Sequence, residues 1–212
     1  MKFSKGAAAR IAVAAAGGLV LVGTAGAAFA AEVDDSDVNV NVQIAPVVGP
    51  GSLSLTVAGT SATLTESASG DADVRQFDGA LPTVTVTDTR DVDDIPANHA
   101  WYVVGQASAF TSPGGATISP DHLGWTPRVV DGGDTGLVAE GEPVGTSEDT
   151  GADAVGLVDQ ELLYLTVDST DVRADGESSW TADAALVLKT GSDVTPGAYS
   201  STLTLSLFED VY

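Results

Sequence analysis

The chain has 212 residues with 30 Asp plus Glu, 8 Lys plus Arg, no cysteine and a formal net charge of -22. Disulfide-stapled folds and cysteine-ligated zinc or iron–sulfur centres need thiols and are excluded. Nucleic acid is not expected as a partner, because phosphate binding needs a basic footprint. A hydrophobic fraction of 43% still allows a buried core.

The first segment reads as a secretory signal peptide over residues 1–30. Lys2, Lys5 and Arg10 precede the apolar run Ile11 to Phe29, and Ala28-Phe29-Ala30 supplies the small-x-small cleavage pattern. Its removal takes away those three cations and no acid, so the expected mature chain carries -25. No later apolar stretch is long enough to span a bilayer, and no motif for covalent wall attachment is found, so no membrane anchor is expected after cleavage. The expected location is extracellular, with any retention at the cell surface non-covalent.

Residues 31–50 are expected to hold an acidic leader, Glu32 to Asp37, and a first strand in which Val38, Val40 and Val42 alternate with Asn39, Asn41 and Gln43. Pro46, Gly49, Pro50 and Gly51 break the chain, and Leu53, Leu55 and Val57 resume the alternation. Val84 and Val86 alternate with Thr83, Thr85 and Thr87. Leu162–Val167 and Ala185–Leu188 are apolar runs, and Leu203, Leu205 and Leu207 alternate with Thr202, Thr204 and Ser206. Turn clusters such as Ser112-Pro113-Gly114-Gly115, Asp131-Gly132-Gly133-Asp134 and Thr195-Pro196-Gly197 separate them. Many short strands joined by turns predict an all-β, antiparallel β-sandwich of Greek-key or immunoglobulin-like type over residues 51–212, with little or no helix. Residues 152–163 are the best helical candidate, weakened by Gly151 and Gly156. Residues 131–153, rich in Gly, Asp and Glu, read as a long acidic loop.

Two blocks are distinctive. Leu81-Pro82-Thr83-Val84-Thr85-Val86-Thr87-Asp88-Thr89-Arg90 leads into Trp101-Tyr102-Val103-Val104-Gly105, followed by Ile118-Ser119-Pro120-Asp121-His122-Leu123-Gly124-Trp125-Thr126-Pro127. The chain then ends on the turn Thr195-Pro196-Gly197 and the alternating Thr202–Leu207 strand. Together they resemble the WxL-type surface domains of Gram-positive, particularly actinobacterial, bacteria, over roughly residues 50–208. The first Trp-x-Leu position reads Trp101-Tyr102-Val103, and the second reads Leu205-Ser206-Leu207, with leucine in place of tryptophan. The resemblance implies a surface domain that attaches non-covalently to peptidoglycan or assembles with another envelope protein.

Candidate site residues follow from residue chemistry. Asp88 and Arg90 share a strand face at a spacing of two and can order a turn by charge-assisted hydrogen bonds. Core packing is the leading reading of Trp101 and Trp180. Trp125, between Gly124 and Thr126-Pro127, is expected in an exposed loop and is the first candidate to stack on a sugar ring, with Trp101 and Tyr102 behind it. Asp91, Asp93 and Asp94, or Asp131 and Asp134, could offer oxygen ligands to calcium, although neither run completes a calcium loop, and no other cofactor is expected. Catalysis is not expected. The two histidines, His99 and His122, lie outside any metal-ligand spacing, and no Gly-x-Ser-x-Gly elbow is present. The leading expectation is a non-catalytic cell-surface protein whose partner is a cell-wall glycan or an envelope protein. A glycan-binding module and a strand-exchanging fibre or adhesin subunit are the alternatives.

Overall fold

The computed structural model describes residues 51–211 except Asp175. The expected signal peptide, acidic leader and first strand therefore lie outside the described residues. Eleven strands are described: β1 (Leu53–Val57), β2 (Thr65–Ser67), β3 (Val74–Asp88), β4 (His99–Ala107), β5 (Phe110–Thr111), β6 (Thr117–Ile118), β7 (Leu123–Asp131), β8 (Val138–Glu140), β9 (Glu161–Thr166), β10 (Ser179–Gly191) and β11 (Leu203–Val211). Helical geometry among them is confined to three single turns at Val92–Asp94, Pro120–His122 and Asp171–Arg173. Residues 152–163 divide between turns and the start of β9, so the apolar spacing there does not mark a helix.

All pairings are antiparallel. A five-stranded sheet runs β1-β3-β10-β7 with β2 also on β3, and a four-stranded sheet runs β11-β4-β9-β8. The two sheets face each other as a sandwich. The partners are distant in sequence: β3 meets β10 with Val74 opposite Gly191, and β4 lies between β9 and the last strand, β11. Early strands thus pair with late ones across long stretches of chain in an antiparallel sandwich.

Alternation explains the layers. On β3 the buried Val84, Val86 and Asp88 point inward while Thr83, Thr85 and Thr87 are half-buried, and on β10 Trp180, Ala182, Ala184, Leu186 and Leu188 are buried. The four-stranded sheet contributes Trp101, Val103, Leu163 and Tyr164. Trp101 bridges the layers, with ring centroids 5.5 Å from Trp180 and 5.3 Å from Tyr164, the latter edge-on. The Tyr164 hydroxyl donates to the carbonyls of Trp180 and Val84 at 3.3 and 3.4 Å. Burial pushes that phenol well above its ordinary range.

The expected long loop at 131–153 is interrupted by β8 and continues as an ordered segment. Val144 and Trp125 exchange both backbone hydrogen bonds at 2.9 Å. Lys189 on β10 ion-pairs with Asp149, which also accepts from the Thr146 amide and hydroxyl. Burial raises the Asp149 carboxyl, but these hydrogen bonds outweigh it and hold the group below its usual range. Leu157, fully buried, donates from its amide to Leu123 of one sheet and accepts from Ala107 of the other.

Candidate functional site

At one end of the sandwich, charge is gathered around the end of β3. Asp88 is fully buried, and Arg90, just past the strand, turns back on it with Nε 3.0 Å from Oδ1 and Nη2 2.7 Å from Oδ2. The same guanidinium donates to both oxygens of Glu209 on β11, each at 2.8 Å. Arg173, from the single turn after β9, donates to the backbone carbonyls of Asp88 and Arg90 and lies 3.5 Å from Asp88 Oδ1. The planar fork of one arginine thus joins a strand of each sheet through two bidentate carboxylates. Hydrogen bonds from Arg90 hold the Glu209 carboxyl below its usual range against the opposing effect of burial, and the two carboxylates raise the Arg90 guanidinium further. The Asp88–Arg90 pair expected from the sequence is therefore present. Glu209 and Arg173 carry no sequence signal that would have joined them to it.

The tryptophans are all interior. Trp101 and Trp180 are fully buried. Trp125 is only 1% exposed, which corrects the expectation of an exposed loop residue. Gly124 and Pro127 lie within β7, an edge strand where proline is tolerated. Gly124 is needed there because a Cβ would sit 2.4 Å from the Val144 carbonyl oxygen. The Trp125 ring then packs over Gly105, where a Cβ would meet the indole at 2.6 Å. Neither Trp125 nor Trp101 presents a ring face to a sugar.

Tyr102 differs. It points away from the core and stacks on Phe208, with centroids 5.4 Å apart and planes 23° from parallel. Sequence reading passed over Phe208, although it occupies the outward position that Thr204 and Ser206 hold earlier in β11.

The acidic candidates for calcium stay apart. Asp91, Asp93 and Asp94 are exposed around a single turn. Asp131 accepts from the Gly133 amide, and the Asp134 amide donates to Glu177. No group of three or more His, Asp or Glu side chains that could hold a metal is found among the described residues. The two histidines serve backbone contacts. His122 Nδ1 donates to the Lys189 carbonyl at 2.7 Å, and His99 Nδ1 to Ala97 at 3.0 Å.

No family model matches the chain, and no curated protein matches it. Among solved structures, it is similar to a family 123 glycoside hydrolase from Clostridium perfringens, described in connection with glycolipid glycan hydrolysis. The identity is 14% and the TM-score 0.31, with 63% of this chain and 18% of that chain covered. A likeness at that score carries no argument about activity.

Proposed function

We propose that the protein is a secreted, non-catalytic cell-surface domain that associates non-covalently with the cell wall or with a protein of the envelope. The observation that carries this reading is how the described chain uses its chemical groups. Each of the five cations Arg75, Arg90, Arg128, Arg173 and Lys189 has a carboxylate partner within the fold, and the three tryptophans are core. What is left for solvent is mainly acid, serine and threonine, with scattered valines and one aromatic pair, which suits a displayed binding surface better than a reaction centre. The signal-type N-terminus and the resemblance of the central block to WxL-type domains support the location.

Fractionation of the producing cell into medium, wall and membrane tests the reading. The protein is expected in the washed wall fraction, resistant to chelator and released by denaturant. Recovery confined to the culture medium would overturn it. A glycan-binding module is supported less, because the side chains favoured for ring stacking are buried and Tyr102 alone of the three faces outward.

A further inference from the structure

The outer strands of the two sheets are blunted, with one exception. β2 and β8 have three residues each and β1 has five. β7 carries Pro127, a register shift against β10 and the Val144 bridge at Trp125. β11 has none of these devices. Over nine residues it keeps one unbroken register with β4, it contains no proline, glycine, lysine or arginine, and among the described residues it has a neighbour on one side only. An edge of that kind is a template for another strand.

Bonds already made on β4 fix which groups of β11 are free. Ala107 donates its amide to Leu157, and His99 accepts from the Ser169 amide, both in the segments that flank β9. Odd-numbered residues of β4 therefore bond towards β9 and even-numbered ones towards β11, and the register pairs even with even. Leu203, Leu205, Leu207 and Glu209 thus turn their N–H and C=O groups to the open side. The Val211 amide, on the same side, is met by Asp210 Oδ1 of its own strand at 2.8 Å. Laid antiparallel on itself over its full length, the strand places Leu207 opposite Leu207, Leu205 opposite Glu209, Ser206 opposite Phe208 and Thr204 opposite Asp210. No two carboxylates stand opposite each other, and the Glu209 charge is already matched by Arg90. Phe208, 39% exposed and stacked on Tyr102, gains the second Phe208 as a diagonal neighbour. We propose that the open edge of β11 pairs antiparallel with β11 of a second copy about a two-fold axis at Leu207, joining two four-stranded sheets into one. The contact is isologous and closes on itself, so it gives a dimer and not a fibre. It goes beyond association with the wall or envelope and does not depend on it.

The first measurement is sedimentation of the purified protein at rising concentration, in low salt and in about 1 M sodium chloride. A monomer–dimer equilibrium that tightens with salt is expected, because -25 per expected mature chain repels until it is screened. The chain has no cysteine, so introduced pairs report the register. Thr204→Cys with Asp210→Cys in one chain is expected to give a disulfide-linked dimer on mild oxidation, since the two positions meet across the axis with Cα atoms about 4.5 Å apart. Thr204→Cys with Phe208→Cys, which meet only on the diagonal at about 7–8 Å, is expected to give none. Phe208→Lys, and Leu207→Pro, which deletes an outward N–H and leaves the β4 ladder intact, should each weaken dimerisation about tenfold or more with the near-ultraviolet signal of the buried tryptophans unchanged. A monomer at every concentration in both salts, a dimer that loosens with salt, no linkage of the first pair, equal linkage of the second, or a dimer unmoved by both substitutions would each overturn the pairing.

Discussion

Arg90 shows how much structural consequence a single side chain can have in a chain with few cations. It satisfies Asp88, which is fully buried, and Glu209, and a lysine could not reproduce either bidentate contact. The pH dependence follows from the direction of the Glu209 shift. A carboxyl whose folded-state value lies below its ordinary 4.5 contributes stability that is present above that value and is lost as pH falls through the lower one. Glu209→Gln is therefore expected to cost roughly 1.5–3 kcal/mol at neutral pH, the scale of hydrogen bonds to a charged group. The gap to the parent should close as both are taken below about pH 4, where an unfolded carboxylate protonates. Urea midpoints followed by tryptophan fluorescence between pH 7 and pH 3 check this, and a gap that stays constant would contradict it.

At the level of elements, β7 and β4 meet through a fit of large against small. The Trp125 indole lies over Gly105, and Gly105→Ala would bring a methyl to 2.6 Å from the ring. Trp125 is 1% exposed, so its ring has little room to retreat. A loss of about 1–3 kcal/mol is expected, the range for overpacking a filled core, read as a lower urea midpoint. The same pair shows where a sequence can be read and where it cannot. Strict alternation over 53–57, 83–87 and 203–207 marks β1, the end of β3 and β11, because period two has one structural meaning when one face is buried. In β7 the glycine and proline that usually mark a loop have other causes, a close carbonyl and an edge position, and neither is visible in a single chain. The apolar residues of 152–163 have the right spacing for a helix, yet Leu157 is there to link the two sheets. Asp88–Arg90 was legible from spacing alone. The outward Phe208 was legible only as a break in alternation, and its stack on Tyr102 required knowledge of which strands are neighbours.

For the whole molecule, charge sets the response to solvent. The pairs Arg75–Glu66 and Arg128–Asp183 each put a well-exposed side chain in contact with solvent and add little, so salt has few strong attractions to screen and a large excess of repulsion among carboxylates. Raising sodium chloride to about 1 M, where screening acts over about 3 Å, is expected to increase the melting temperature at pH 7. A fall in melting temperature would place more of the stability in surface pairs than the geometry indicates. The pairing of early strands with late ones has a consequence in time as well. β3 waits for β10, β4 is completed only by the last strand, and the Arg90–Glu209 contact spans 119 residues. Partners so far apart in sequence fold slowly, because the chain must close long loops before any contact repays them. In a polypeptide of this topology the described sandwich cannot close before β10 and β11 have both been made, so the partner edges of β3 and β4 stay unmatched while everything between is synthesised.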